Sequence, residues 1–207
     1  QAIARAASAA GIPAAINSGA SVPMERTFEL IGKRAWFQIY MLKDLSASFK
    51  VIERAKNAGI EVLVVTVDSA ASPIREYNVK NSLTLPFRIT PQNSVDVLSH
   101  PRWFFGVALR YMASRGLPRY QNAPVGLRDP ITGGPTPLLP SASLSWKDLR
   151  EVRRLWPRIL VVKGLLMPED AVLAADHGAD AVVVSNHGGR NLDSAPAAIE
   201  MLPGVVD

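Results

Sequence analysis

Short apolar runs alternate with amphipathic stretches along much of this chain. Leu45, Phe49, Ile52 and Ala55 fall on one stripe, which predicts a helix over Asp44–Ala58 ending at Gly59. The apolar run Ile60–Val67 follows it and predicts a buried strand. The same unit recurs. A helix over Ala2–Ala10 ends at Gly11 before Ile12-Pro13-Ala14-Ala15-Ile16, and a helix over Pro168–His177 ends at Gly178 before Ala181–Val184. Each glycine stands where a left-handed helix ending is wanted, and Pro168 suits a first helical turn. Ser145 and Asp148 predict a capped start for a helix running to Trp156. Ala35-Trp36-Phe37-Gln38-Ile39-Tyr40 and Ile159-Leu160-Val161-Val162-Lys163-Gly164 supply two further strands.

Five short strands alternating with helices call for parallel strands with helical crossovers, hence a doubly wound sheet or a (β/α) barrel. Polar residues gather at the strand exits: Asn17 and Ser18, Tyr40, Thr66 and Asp68, Lys163, His187. Barrel enzymes draw their chemistry from several strand ends on one face, whereas a single switch-point crevice does not need polar groups at every exit. The expectation is an α/β fold of the (β/α)8 TIM barrel type. Five strands cannot close eight, the chain begins inside a helix, and it stops where another strand is due. It therefore reads as an internal fragment, about strands 2 to 6, with residues 1–207 forming one partial domain. Residues 69–144 break the rhythm with proline, glycine, arginine and aromatics, and read as a long lid insertion. Within it, a short helix fits Trp103–Arg115.

Composition narrows the chemistry. Hydrophobic residues make up 48% and charged residues 20%, an ordinary globular balance. No apolar run approaches the roughly 20 residues that span a bilayer. With no cysteine there are no disulfides, thiolate metal sites or cysteine nucleophile, which suits a cytoplasmic protein. Three histidines argue against a multi-histidine metal site, so no metal is expected. The net charge of +5 fits nucleic acid, anionic lipid or an acidic substrate, but the plain reading is a solvated face. No nucleic-acid motif accompanies it.

One stretch stands apart: Val182-Val183-Val184-Ser185-Asn186-His187-Gly188-Gly189-Arg190. A buried strand stops at a titratable base and a fixed cation separated by two glycines, which invites a functional reading. Continued through Asn191-Leu192-Asp193, it resembles the signature of the FMN-dependent α-hydroxy-acid dehydrogenases and oxidases. Further landmarks of that family stand in the same order: Trp36-Phe37-Gln38-Ile39-Tyr40, Thr66-Val67-Asp68, Arg75-Glu76 and Val162-Lys163-Gly164. The resemblance spans nearly the whole chain. Asn17 departs from the family's serine or threonine near the end of strand 2, and Asn78 stands where an aspartate is common.

The resemblance implies a barrel binding FMN and oxidising an L-2-hydroxy acid of lactate or mandelate type to the 2-oxo acid. It makes His187 the base that takes a proton as the α-carbon is oxidised, work that suits an imidazole. Asp68 would stabilise the resulting imidazolium. Arg75 and Arg190 would clamp the substrate carboxylate with bidentate hydrogen bonds, and Tyr40 would bond the substrate hydroxyl or carboxylate. Lys163 would lie by the N1 and O2 edge of the flavin, with Gln38, Thr66 and Ser185 bonding its ring or ribityl chain. The lid segments Ser99-His100-Pro101-Arg102-Trp103 and Leu117-Pro118-Arg119-Tyr120-Gln121-Asn122 resemble those of the bacterial lactate and mandelate dehydrogenases. That branch implies a quinone or respiratory electron acceptor, peripheral attachment to the inner face of the cell membrane, and a homotetramer. Two alternatives stay open: a peroxide-forming oxidase using oxygen, and a non-catalytic flavin-binding barrel.

Overall fold

The computed structural model describes residues 2–69, 76–81, 89–124 and 141–206. Helix α1 (Ala2–Ala10) leads into strand β1 (Ala14–Asn17), and helix α2 (Met24–Ile31) connects it to β2 (Ala35–Tyr40). Helix α3 (Leu45–Asn57) then crosses to β3 (Val62–Thr66). Beyond β3 come α4 (Glu76–Lys80), α5 (Pro91–Ser99), α6 (Pro101–Trp103), a π-helical stretch Phe104–Leu109 and α7 (Arg110–Arg115). Helix α8 (Trp146–Leu155) returns the chain to β4 (Ile159–Leu165). Helix α9 (Pro168–Asp176), β5 (Ala181–Val184) and α10 (Ala198–Val206) complete the described part.

All four strand pairings are parallel, and the sheet order β1-β2-β3-β4-β5 is the order of the sequence. A doubly wound sheet reverses direction at a switch point; this one steps the same way each time, as a (β/α) barrel does. Period-two alternation then sorts the side chains. Phe37, Ile39, Leu63, Val65, Leu160 and Val162 face outward and pack in one core with Val51, Ile52 and Ala55 of α3 and Leu149 and Val152 of α8. Val62, Val64 and Val161 form a smaller inner cluster with Trp36 and Val183. Inner-facing positions are therefore apolar at the start of each strand and polar at its end.

The N-terminal ends of the strands are tied by groups that look structural. Arg158 donates to the carbonyls of Lys56 and Ile60 at 2.9 and 2.6 Å, satisfying carbonyls exposed where α3 ends. The fully buried Trp156 donates its indole N–H to Ile159 O at 2.9 Å. At the start of α8 the Asp148 carboxylate accepts from both the amide and the hydroxyl of Ser145, at 2.8 and 2.7 Å, as the spacing predicts.

The lid is more regular than its composition suggests. Its described part holds the short α4, then α5 from Pro91, where Thr90 and Asn93 bond reciprocally at 2.9 and 3.3 Å, and a further helical run over 101–115. The helix expected over Trp103–Arg115 is there, but its middle widens into the π-helical stretch. The lid returns to the sheet through Asn122, which is fully buried. Its carbonyl accepts from Met24 N at 2.8 Å, and its amide donates to Asn17 O and Val22 O at 3.3 and 3.2 Å. Burying an amide costs free energy unless its polar atoms are bonded, and here both ends are.

Candidate active site

The polar strand ends meet on one rim. Register pairs Tyr40 with Thr66, and Thr66 with Lys163, so three inner-facing polar side chains stand in a row across β2, β3 and β4. One residue back on β2, Gln38 pairs with Asn17 of β1. A chain of hydrogen bonds follows: Asn17 Nδ2 donates to Gln38 Oε1 at 2.5 Å, and Gln38 Nε2 donates to Thr66 Oγ1 at 2.7 Å. Thr66 accepts in that bond, which leaves its own hydroxyl proton to be donated elsewhere. Next along the rim, Lys163 Nζ donates to Ser185 Oγ at 3.2 Å.

His187 projects from the turn that ends β5. It has φ +58, and Gly188 and Gly189 follow at +67 and +69. Glycine tolerates that conformation; a histidine held there costs on the order of 1–3 kcal/mol, a strain that persists only where neighbours impose it. They do so here. The His187 amide donates to Ser185 Oγ at 3.1 Å, and Asn186 Oδ1 accepts from Gly188 N at 3.0 Å. The imidazole sits between two partners: Nδ1 lies 2.8 Å from Asp68 Oδ1, and Nε2 lies 3.3 Å from the Tyr40 hydroxyl. A carboxylate only accepts, so the Asp68 contact places the ring proton on Nδ1 and leaves the Nε2 lone pair facing Tyr40.

Asp68 is the hub. Its side chain is 11% exposed, and Oδ2 is buried with no hydrogen-bond partner among the described residues. Lys163 Nζ stands 3.7 Å from that oxygen. Asn191 Nδ2 donates to the Asp68 carbonyl at 2.6 Å and to Ser69 Oγ at 3.2 Å. A base, a carboxylate, a phenol and an ammonium thus share one partly buried cluster.

The whole chain, residues 1–207, matches the family of FMN-dependent dehydrogenases. The chain belongs to that family. L-lactate dehydrogenases from Xanthomonas campestris pv. campestris and Pseudomonas aeruginosa are each 37% identical to it over 206 residues, which is 99% of this chain and 53% of theirs. The solved structure of the monotopic membrane protein (S)-mandelate dehydrogenase superposes with a TM-score of 0.82 at 32% identity, covering 99% of this chain and 54% of that one. Mandelate oxidase bound to (S)-2-phenylpropionate superposes with a TM-score of 0.68 at 31% identity, over 99% and 48%. The chain spans about half the length of the curated relatives it matches. The fold is that of a (β/α)8 barrel over five of its strands.

FMN-dependent dehydrogenases hold a flavin, and the donor set on this rim fits one. The isoalloxazine edge alternates nitrogens and carbonyl oxygens, and the rim offers an amide, a hydroxyl, an ammonium and a second hydroxyl in sequence: Gln38, Thr66, Lys163, Ser185. Lys163 is partly buried, as a cation must be to act on a ring rather than on solvent.

Of the nine site residues expected from sequence, seven come together on this rim: Tyr40, Asp68, His187, Gln38, Thr66, Lys163 and Ser185. Arg190 follows the glycines at the same turn but is exposed, with no hydrogen bond or ion pair among the described residues. Arg75 lies outside the described residues, as does part of the lid insertion. Asn17 and Asn191 were not anticipated as site residues, yet both bond directly to members of the set. Their signal was positional: Asn17 ends a strand, and Asn191 lies two residues beyond the second glycine of the signature.

Proposed function

We propose that the full-length protein is an FMN-dependent L-2-hydroxy-acid dehydrogenase acting on a lactate- or mandelate-type acid and giving the 2-oxo acid. The observation that carries this is His187 held between Asp68 and Tyr40, with an Nε2 lone pair on the same rim as Lys163. FMN, when bound, would supply the acceptor for the two electrons and one of the two protons that leave the substrate. His187 Nε2 takes the proton released as the carbon is oxidised, and Asp68 stabilises the imidazolium so formed. The Tyr40 hydroxyl, already within reach of Nε2, holds the oxygen on the reacting carbon. Arg190, which has no hydrogen bond or ion pair among the described residues, and Arg75 clamp the carboxylate, each hydrogen bond to a charged group contributing roughly 1.5–3 kcal/mol. Lys163 offsets negative charge at the flavin edge, where loss of a comparable stabiliser costs about 10²–10³ in rate.

The relatives named lactate dehydrogenase and mandelate dehydrogenase support the substrate class. Their names, dehydrogenase rather than oxidase, favour an acceptor other than oxygen, for which we propose a quinone or the respiratory chain. The likeness to a mandelate oxidase keeps the peroxide-forming reaction as the rival reading. Rapid mixing decides between them. Full-length protein reduced anaerobically by L-lactate or (S)-mandelate is expected to reoxidise faster with a quinone than with dissolved oxygen. The variant His187→Ala is expected to keep its yellow cofactor and lose flavin bleaching. Bleaching at the wild-type rate in that variant refutes the base assignment.

A further inference from the structure

Gly164 lies next to Lys163 and has no polar group, yet its position in β4 is unusual. The register of β4 on β5 shifts between Lys163 and Leu165, so Gly164 is the extra residue of a β-bulge. Its φ is +107, a conformation side-chain-bearing residues rarely adopt. The bulge changes the phase of the strand. Strict alternation would send Lys163 and Leu165 to the same face; here Lys163 joins the rim cluster while Leu165 packs in the outer core. Most telling is what lies against the bare Cα. A Cβ built on Gly164 would stand 2.5 Å from Asp68 Cγ, 2.6 Å from its Cβ and 2.7 Å from Oδ2. These are separations of atoms about two bonds apart, far inside van der Waals contact, and Asp68 has nowhere easy to go. Its carboxylate is held by His187 on one side, and its main-chain carbonyl by Asn191 on the other.

We propose that Gly164 is a positioning residue of the active site: the space left by its missing side chain seats the Asp68 carboxylate, and through Asp68 it sets which nitrogen of His187 bears the proton. This rests on the reading of His187 as the base only for its effect on rate; the effect on the tautomer stands on geometry alone. The bulge delivers Lys163 and clears room for Asp68 in one local departure from regular strand geometry. An alanine at 164 pushes the carboxylate out of line with Nδ1, and the proton is then free to move to Nε2. An imidazole protonated there presents no lone pair to the substrate.

The test uses full-length holoprotein labelled with ¹⁵N-histidine, with the His187 ring signals assigned by their loss in His187→Asn. Wild type should show the Nδ1–H tautomer. Gly164→Ala should show a shift towards Nε2–H, and flavin reduction by a 2-hydroxy acid should slow by about 10²-fold or more. Because the new methyl also strains the backbone, Asp68→Gly and the double variant complete a cycle. The drop in unfolding temperature caused by Gly164→Ala should be much smaller once the Asp68 side chain is gone. Should Gly164→Ala alone not fold, recovery of folding in the double variant supports the proposal and failure to recover overturns it. An unchanged His187 tautomer in folded Gly164→Ala, or an equal drop with and without the Asp68 side chain, also overturns it. A wild type that no 2-hydroxy acid reduces refutes the functional reading instead, and leaves the tautomer comparison to judge Gly164.

Discussion

Asp68 and Asp180 are both aspartates beside strands, and their surroundings separate their duties. Asp180 precedes β5 at the N-terminal end of the sheet and accepts from Leu160 N and from the Arg153 guanidinium, each at 2.7 Å. The Leu160 amide first, and then Arg153, hold its carboxyl below the usual range. A carboxylate with a depressed folded-state value contributes stability above its unfolded value, near 3.9, and loses it as the pH falls through the folded value. Asp180→Asn should therefore lower stability at neutral pH, with the difference shrinking towards zero below the ordinary carboxylate range. The side chain is about half exposed, so solvent screening keeps the effect small, about 0.5–1 kcal/mol. Chemical denaturation of both proteins at neutral and acid pH measures it. Asp68, by contrast, keeps one buried oxygen without a hydrogen-bond partner among the described residues, next to a lysine, and gives the other to a histidine. That arrangement suits the proposed catalytic role better than a stabilising one, since an unbonded buried oxygen costs roughly 1–3 kcal/mol.

At the scale of elements, Asn122 shows how the lid is attached. Met24 N, Asn17 O and Val22 O depend on one buried amide, and the neighbouring Gln121 N donates to Ala20 O at 3.0 Å. Asn122→Ala leaves those groups short of partners, so a loss of about 1–3 kcal/mol is expected. Faster proteolytic cleavage after β1 and at the lid's return should accompany it; thermal unfolding and limited digestion report the two effects. This anchor was not legible in the sequence, because an asparagine in a proline-rich stretch reads as a turn until its partners, some 100 residues away, are seen. The strands were legible. Their apolar runs are bounded by glycine, and β2 and β5 match the expected limits residue for residue. Helix α2, for which no expectation was made, buries Met24, Thr27 and Ile31 at helical spacing behind Pro23. Among the lid helices, the run over Trp103–Arg115 was expected although its π-helical middle departs from the 3.6-residue period, whereas the short α4 and α5 were not. In the site, groups that bear charge could be read, and Gly164 could not, since it acts by what it lacks.

At the scale of the molecule, the exposed part of the lid pairs apolar bulk with cations. Trp103, Phe105 and Val107 are each more than half exposed, flanked by Arg102 and Arg110 in the same helical run. Aromatics at headgroup level with cations meeting anionic lipid are what an interfacial anchor needs, and we propose that this face serves as one; the mandelate dehydrogenase that the chain resembles is a monotopic membrane protein. Among the described residues no helix is long and apolar enough to cross a membrane. Full-length protein is expected to co-sediment with vesicles rich in phosphatidylglycerol and much less with neutral ones. The variant Trp103→Ser/Phe105→Ser should reduce binding to the anionic vesicles. Failure to bind at any salt concentration refutes the anchor.

The strand order carries one more consequence. Residues 18–34, 41–61 and 166–180 join the other neighbouring strands, but residues 67–158 separate β3 from β4. Four contacts of the reactive cluster span that join: Asp68 to His187, Asp68 to Lys163, Tyr40 to His187, Asn191 to Asp68. Two stretches of polypeptide each bring part of the cluster, and it is assembled only when the connection between them closes. Closure entropy rises only slowly with length, about 0.6 kcal/mol per doubling, so the molecule tolerates so distant a marriage of its halves. A single protease cut inside the lid would part the covalent thread while leaving the pairing of β3 with β4 to hold the two pieces together.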